Sequence, residues 1–426
     1  MADRDFPHAS LVEGLRFTAQ VAVPNVMQGL FRRRRTVTAL ADRTGADGFA
    51  VGFMEGLKRN YGEGPLWIRV GKDEALLLLG RDAIRHALER SPDPFAADPE
   101  PKKSAMEHFQ PDALTISRNP EWEDRRKFTE AVLDTGKPKH RLADRIGAVS
   151  AEEASKLPHE LDWDTWNGAV RRVTRGLILG DSAADDEELS GMLGELMDKA
   201  NPPGGGDDEL LERYTRKLQP YIDAQEPGSL VGLFPQAPTT DRTKPERQVT
   251  HWLFALGDTL AINALRCLAL LAVHDPERGR AAEDPAFLNA CMHEAMRLWP
   301  TTPMLSRETI QDTDWDGVAV PQGTQLLIVN TFNHRDHDAL GARADRFEPE
   351  QWLSGDAGHD WSFNHFSNGP QGCPGSGIAL EVGGAMLGTL IRDRDVRLLN
   401  PKLDPSKRLP YSLDYFGLKF ECPPRA

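Results

Sequence analysis

Cys373 stands in the run Phe366-Ser-Asn-Gly369-Pro-Gln-Gly372-Cys373-Pro-Gly375-Ser-Gly377, which leads straight into the small-residue helical stretch Ile378 to Leu387. A thiol in that place lies near the positive end of a helix and among backbone N–H groups, and both favour the thiolate. Cys373 is therefore a candidate anionic ligand or nucleophile. Glycines at 369, 372 and 375 let the backbone approach something large and flat without a Cβ in the way.

Three other groupings bear chemistry. In Cys291-Met-His-Glu294-Ala-Met-Arg297-Leu-Trp-Pro300, Glu294 and Arg297 form an i,i+3 pair on a helix that opens at Asp284-Pro285 and ends by Pro300. Phe254-Ala-Leu-Gly257-Asp258-Thr259 interrupts a long apolar helix with an acid and a hydroxyl. Trp122-Glu-Asp-Arg125-Arg126 offers an indole donor and a guanidinium one helical turn apart, a pairing suited to carboxylates.

In this order the four groups resemble the cytochrome P-450 family of haem-thiolate monooxygenases, soluble bacterial-type. Thr259 precedes Glu294 by 35 residues, similar to the family's spacing from its oxygen-site threonine to its Glu-x-x-Arg motif. Arg297-Leu-Trp-Pro300-Thr-Thr-Pro303-Met-Leu-Ser-Arg307, Asn333-His-Arg335-Asp336 and Phe347-Glu-Pro349-Glu-Gln-Trp352 look like the landmarks that follow. Residues 1–55 carry no matching motif, and 56–426 read as one haem-thiolate monooxygenase domain. The fold so implied is mainly α with small β-sheets, haem b lying between the long central helix and the cysteine loop.

The resemblance implies roles residue by residue. Cys373 is the proximal iron ligand, and a thiolate there pushes electron density onto the metal. Phe366 and Gly375 belong to the haem-binding loop. Thr259 holds the water on the oxygen side, with Asp258 relaying protons. Trp122, Arg126 and Arg307 serve the haem propionates, with Gln371 as a weaker fourth, because carboxylates inside a protein need charged or strong donors. Glu294 and Arg297 are structural.

Departures from the family pattern are equally specific. Gln371 stands where the family usually has Arg or His, so that position supplies no charge. Gln351 replaces the Arg that would complete a triad with Glu294 and Arg297, which leaves Arg343 or Arg346 as the expected third partner. Leu256 replaces a small residue and narrows the space over the iron.

Around these groups, Leu66 to Val70 and Ala75 to Leu79 read as strands about Gly71-Lys-Asp, followed by a helix from Asp82 to Arg90. Trp315 to Val320 and Thr324 to Val329 read as a hairpin across Pro321-Gln-Gly323. The longest helix is expected from Pro245 to His274, about 45 Å at 1.5 Å per residue. Asn201-Pro-Pro-Gly-Gly-Gly-Asp-Asp208 reads as a flexible connector and, by the resemblance, as a gate between helices over the substrate channel. Pro92 to Ser117, Trp252 to Leu256, Thr302 to Leu305 and Tyr411 to Phe416 are the expected pocket segments, suited to a mostly hydrophobic small molecule.

A net charge of −14 argues against nucleic acid or an anionic membrane as a partner. Asp3 and Asp5 interrupt any leading apolar run, and the expected location is cytoplasmic. Four cysteines without short spacings fit neither a disulfide framework nor zinc, and Cys267 and Cys291 read as core. His334 and His337 are placed in a solvated loop rather than at a metal. The kinase-like His334-Arg-Asp336 has no phosphate loop to accompany it, Pro374 spoils a nucleophile elbow at Ser376, and no βαβ pattern supports a dinucleotide site.

No flavin or iron-sulfur segment is visible, so electrons are expected from ferredoxin and ferredoxin reductase. The docking patch would be Arg125, Lys127, Lys137, Lys139 and Arg141. Alternatives from other classes are a peroxide-driven peroxygenase and a non-catalytic haem sensor. A sensor would need Cys373 but not Thr259.

Overall fold

The structure is a computed structural model that describes residues 5–202 and 204–425. Asp3 and Pro203, the latter inside the expected gate, lie outside them. The chain forms two compact units. One holds residues up to Lys103 together with Met296–Cys373 and Lys407–Leu413; the other holds Ser104–Ala295, Pro374–Ser406 and Asp414–Ala426.

The first unit is built on a five-stranded sheet in the order Pro65–Val70, Asp73–Leu78, Gln325–Val329, Met304–Thr309, Phe95–Ala96. Only the contact of Asp73–Leu78 with Gln325–Val329 is parallel. Alternation along the strands sends Leu66, Ile68, Leu77 and Leu327 into one core and Trp67, Leu76, Leu78 and Leu326 into another. Both faces are thus buried, which explains near-continuous apolar runs such as Ala75 to Leu79. The first 55 residues contribute Phe17, Val21, Ala50, Val51, Phe53 and Met54 to the first of these cores.

The expected hairpin across Pro321-Gln-Gly323 is not formed. Thr313–Trp315 pairs instead with Val318–Val320 about Asp316-Gly317, both at positive φ, and Gln325–Val329 enters the main sheet. Asp-Gly is the stronger hairpin signal because its residues tolerate that backbone.

The second unit is helical. Pro245–Val273 is continuous over 29 residues, long and apolar enough to cross a membrane by length and composition, with 67% of its most apolar window buried inside the structure. It is a core helix. A π turn, Ala255–Thr259, interrupts it. Helix Trp163–Leu179 clamps that region: Trp166 Nε1 donates to the Ala261 carbonyl at 2.9 Å, and Asn167 Nδ2 donates to the Gly257 carbonyl at 2.9 Å. Pro285–Leu298 begins where expected, with Asp284 accepting from the amides of Ala286 and Phe287. A three-stranded sheet, Glu160–Asp162, Lys419–Glu421, Arg397–Asn400, completes this unit. Between helices Glu187–Ala200 and Asp208–Ala224 the Gly-rich connector has positive φ at Gly204 and Gly206, and Asp207 caps the second helix.

Candidate active site

In the first unit the cysteine loop is pinned from behind. The Cys373 amide donates to the Phe366 carbonyl at 2.7 Å and the Gly372 amide to Gly369 at 2.9 Å. Gly369 has φ 72°, and a Cβ there would lie 2.1 Å from the Leu88 carbonyl, so no other residue fits. The Cys373 side chain is exposed, whereas Cys267, Cys291 and Cys422 are buried. Burial pushes the thiols of Cys267 and Cys291 upward and that of Cys422 to about 11, which keeps them protonated.

Further back, Arg297 is fully buried and donates to the carbonyls of His334 (2.8 Å), Ala344 (3.0 Å) and Arg346 (3.0 Å). The expected third partner, a side chain of Arg343 or Arg346, is replaced by backbone oxygens of that same segment. This is sound physics, since a second buried guanidinium would have repelled the first.

His334 extends this frame to the loop. The Asn364 amide donates to its Nε2 at 3.1 Å, and its Nδ1 lies 3.3 Å from the Arg297 carbonyl. Burial, with the nearby Arg297 charge, pushes its pKa down to about 3. The ring is neutral, with Nε2 the acceptor and Nδ1–H the donor. The Asn364 carbonyl then holds the Ser367 amide at 2.6 Å. A solvated loop at His334 and Arg335 is therefore overturned: Arg335 is 1% exposed and paired with Asp345 at 2.7 Å, and His337 lies between Glu55 and Asp345, while Asp338 remains exposed. Among the described residues no His, Cys, Asp and Glu cluster could hold a metal ion.

Arg307 is buried in strand Met304–Thr309. It donates to Ser91 Oγ (3.0 Å), Ser367 Oγ (3.0 Å) and the Ser306 carbonyl (2.9 Å), all neutral groups. Burial lowers its pKa to about 10. Lys102, on helix Glu100–Glu107, donates to the Ala97 carbonyl at 2.8 Å, and burial, then the charge of Arg307, lowers its pKa to about 7. Two cations thus share a desolvated region. The Gln371 Oε1 is buried and, among the described residues, has no hydrogen-bond partner. Lys102 was not singled out from sequence, since a surface helix full of charge hides which lysine turns inward.

In the second unit Asp258 is held by Arg171, Nη2–Oδ1 2.6 Å, with both side chains about four-fifths buried. Leu260 N donates to the Ala255 carbonyl, the i→i−5 bond of a π turn that has Thr259 as its last residue. A small cavity of about 10 Å³, near the size of one water, borders Arg171, Ser190, Gly257 and Asp258. Arg171 was not foreseen; no spacing rule links residue 171 to 258.

Trp122 is half-buried on helix Glu121–Leu133, four residues ahead of Arg126. Arg126 is paired with Glu130 at 2.6 Å. The expected docking patch is altered more strongly. Arg125 is buried, bonded to Asp112 and Ser117, and Lys137 and Arg141 both bind Asp134. Gly375 precedes helix Ser376–Asp393, and a Cβ there would meet Leu133 at an ordinary 3.6 Å, so that position does not demand glycine. Of the expected pocket segments, 411–416 is largely bound up in packing, with Tyr411 under Arg335 and Tyr415 against Trp163.

An exposed thiol in a turn braced by a neutral histidine, in a mainly helical protein, has the chemistry of a sulfur ligand to a cofactor. Comparison with known proteins agrees. The family model for cytochrome P450 matches residues 281–410. Cytochrome P450 monooxygenase ptmK of Penicillium ochrochloron is 34% identical over 29% of this chain and 26% of its own length. Cytochrome P450 4c3 of Drosophila melanogaster is 24% identical over 47% of this chain and 40% of its own. The chain therefore spans less than half the length of these curated relatives. A solved structure, retinoic acid bound cyanobacterial CYP120A1, superposes with a TM-score of 0.70 at 19% identity, over 88% of this chain and 94% of that one.

The fold is that of a cytochrome P450, and residues 281–410 match the model of that family. Haem b is the cofactor of that family and fold. The residues present fit it. Haem b carries two carboxylates, and Arg307 is a buried cation whose bonded partners are the Ser91 and Ser367 hydroxyls and the Ser306 carbonyl, with the buried Lys102 near it, so an anion there would offset the desolvation.

Proposed function

We propose that this chain is a monooxygenase acting on a small, mostly hydrophobic molecule: RH + O2 + NADH + H+ gives ROH + H2O + NAD+. The electrons would come through ferredoxin and ferredoxin reductase, in the cytoplasm, as in soluble bacterial-type members. Haem b held by the Cys373 thiolate supplies the reductive activation of dioxygen. Arg307 and Lys102 take its carboxylates, with Trp122 and Gln371 as neutral donors; Lys102 supplies the charge that Gln371 lacks. Phe366 and Gly375 line the turn. Arg126 is paired with Glu130, which makes it a poorer donor to a haem carboxylate than Arg307.

Asp258 accepts a proton from water near Arg171 and passes it to the Thr259 hydroxyl, which presents it on the oxygen side. Leu256 narrows that side. The observation that carries this reading is the π turn with Asp258 held by Arg171 immediately before Thr259. A mere carrier needs the thiolate but has no use for an acid and hydroxyl in a loosened helix.

The test has two stages. The reduced, carbon-monoxide-bound protein should give the red-shifted Soret band of a thiolate. Substrate-dependent NADH oxidation with a surrogate ferredoxin system should then yield oxygenated product. A thiolate spectrum with no turnover on any hydrophobic substrate would favour the sensor. Efficient turnover on hydrogen peroxide, with none on NADH, would favour the peroxygenase.

A further inference from the structure

Among the described residues eleven large apolar side chains are exposed, and nine of them lie between Leu11 and Phe49. They are not scattered. Leu11, Val12 and Leu15 lie on helix Leu11–Phe17, and Val23, Val26 and Met27 on helix Val23–Gln28, which continues it through the π turn Thr18–Ala22. At about 100° per residue Val23 would sit about 120° round from Leu11; the extra residue absorbed by a π turn brings Leu11, Leu15, Val23 and Met27 within about 60° of one another. The opposite side, Phe17 and Val21, is buried in the core. Leu15, 71% exposed, marks the apolar face as solvent-facing.

A basic rim adjoins this face. The Arg34 amide donates to the Gln28 carbonyl at 2.8 Å and its guanidinium to the Met27 carbonyl at 3.3 Å, which sets the run Arg32 to Arg35 beside Met27 and Leu30. Arg32, Arg34 and Arg35 are exposed. Between Gly14 and Ala41 the sequence has five arginines and no acid, although the chain as a whole carries −14. Single exposed leucines need no explanation, but a continuous apolar face beside a one-sign charge cluster does.

We propose that this face is a peripheral docking surface for an anionic phospholipid membrane, with Leu11, Leu15, Val23 and Met27 entering the interface and the arginines meeting headgroup phosphates. A second copy of this chain is the poorer occupant, since a symmetric contact would set the same arginines against each other. The absence of a membrane partner, expected above from the net charge, averaged this segment away with the acidic remainder.

The experiment is flotation of the holoprotein with vesicles of phosphatidylcholine alone and of phosphatidylcholine mixed with phosphatidylglycerol, at low and high salt. Binding to the anionic vesicles alone, weakened by salt, is expected. Leu15→Glu/Met27→Glu and Arg34→Ser/Arg35→Ser should each lower it about tenfold or more. Leu15→Ser/Met27→Ser removes apolar surface without adding charge and must also lower it, with an unchanged thermal melt showing the fold intact. No flotation of the wild type, or equal flotation of wild type and variants, overturns the proposal. So does a concentration-dependent dimer abolished by Leu15→Glu, which would assign the face to a second copy.

Discussion

The region around Arg307 and the region around Asp258 treat buried charge in opposite ways. Arg307 is desolvated with hydroxyls and a carbonyl as its bonded partners, so its charge is left open, and that charge disfavours the protonated form of the nearby buried Lys102. Asp258 is closed, its oxygen already held by Arg171 at 2.6 Å. An open cation region is pre-organised for an anion that stays, because the anion offsets a desolvation penalty the fold has already met. A closed acid cannot act while paired; it must leave its arginine to carry a proton. The first arrangement suits permanent cofactor holding, and the second suits intermittent proton delivery.

The largest effect should come from Cys373. Cys373→Ser is expected to abolish the thiolate Soret band of the carbon monoxide complex and all oxygenation, while Cys267→Ala and Cys291→Ala, buried in apolar helices, leave the band in place. An unchanged band in Cys373→Ser would remove the sulfur from the site, and the contrast between open and closed charge would lose its cofactor.

Next in size is the closed side. Asp258→Asn keeps the shape but cannot carry the proton, and kcat should fall about 1,000-fold, the middle of the range for positioned acid-base groups, with a larger solvent isotope effect. Arg171→Gln should cost far less, because it frees the acid rather than deleting it. Equal losses in both variants would mean that the ion pair is a structural strut, and the reading of Asp258 as a gated proton carrier would fall.

How much of this was readable beforehand follows from the range of the interactions. Cys373 in its glycine turn, the start of Pro285–Leu298 at Asp284-Pro285 and the long helix from Pro245 are local signals, in which neighbours along the chain set the backbone, and all three stand in the structure. What the sequence hid is the inward turn of charged residues. Arg125, Arg335 and Lys102 look like solvated surface in a string of Asp, Glu, Lys and Arg, and only tertiary neighbours such as Asp112, Asp345 and Arg307 distinguish them. The hairpin at Asp316-Gly317 was readable, but the more conspicuous Pro321-Gln-Gly323 masked it. Arg297 was legible as structural, yet its carbonyl partners were not, since any residue can present a carbonyl.

On the open side Arg307→Ala should speed haem loss to an acceptor apoprotein by about 10- to 100-fold, the equivalent of one charge-assisted hydrogen bond at roughly 1.5–3 kcal/mol. Transfer at the wild-type rate would mean that the open charge faces something other than the cofactor.

The smallest effect, and the sharpest test of open charge, is the pH dependence contributed by Lys102. Its pKa stands at about 7 rather than the usual 10.5, because burial and the Arg307 charge disfavour its protonated form. Before haem binds, the folded protein therefore holds fewer protons at this site than the unfolded chain between about pH 7 and 10.5, so apoprotein stability gains from Lys102 as pH rises through that window. A haem carboxylate beside the amine reverses the balance by favouring the ammonium, so binding takes up a proton and haem affinity should fall as pH rises above 7. Lys102→Met should flatten that fall. Adding Gln371→Arg to Lys102→Met restores a permanent charge from the neighbouring loop and should recover retention without restoring the slope. Haem titrations of the apoprotein from pH 6.5 to 9, followed in the Soret band, would read both. Parallel slopes for wild type and Lys102→Met would show that this lysine does not face the cofactor, and only Arg307 would remain of the open side.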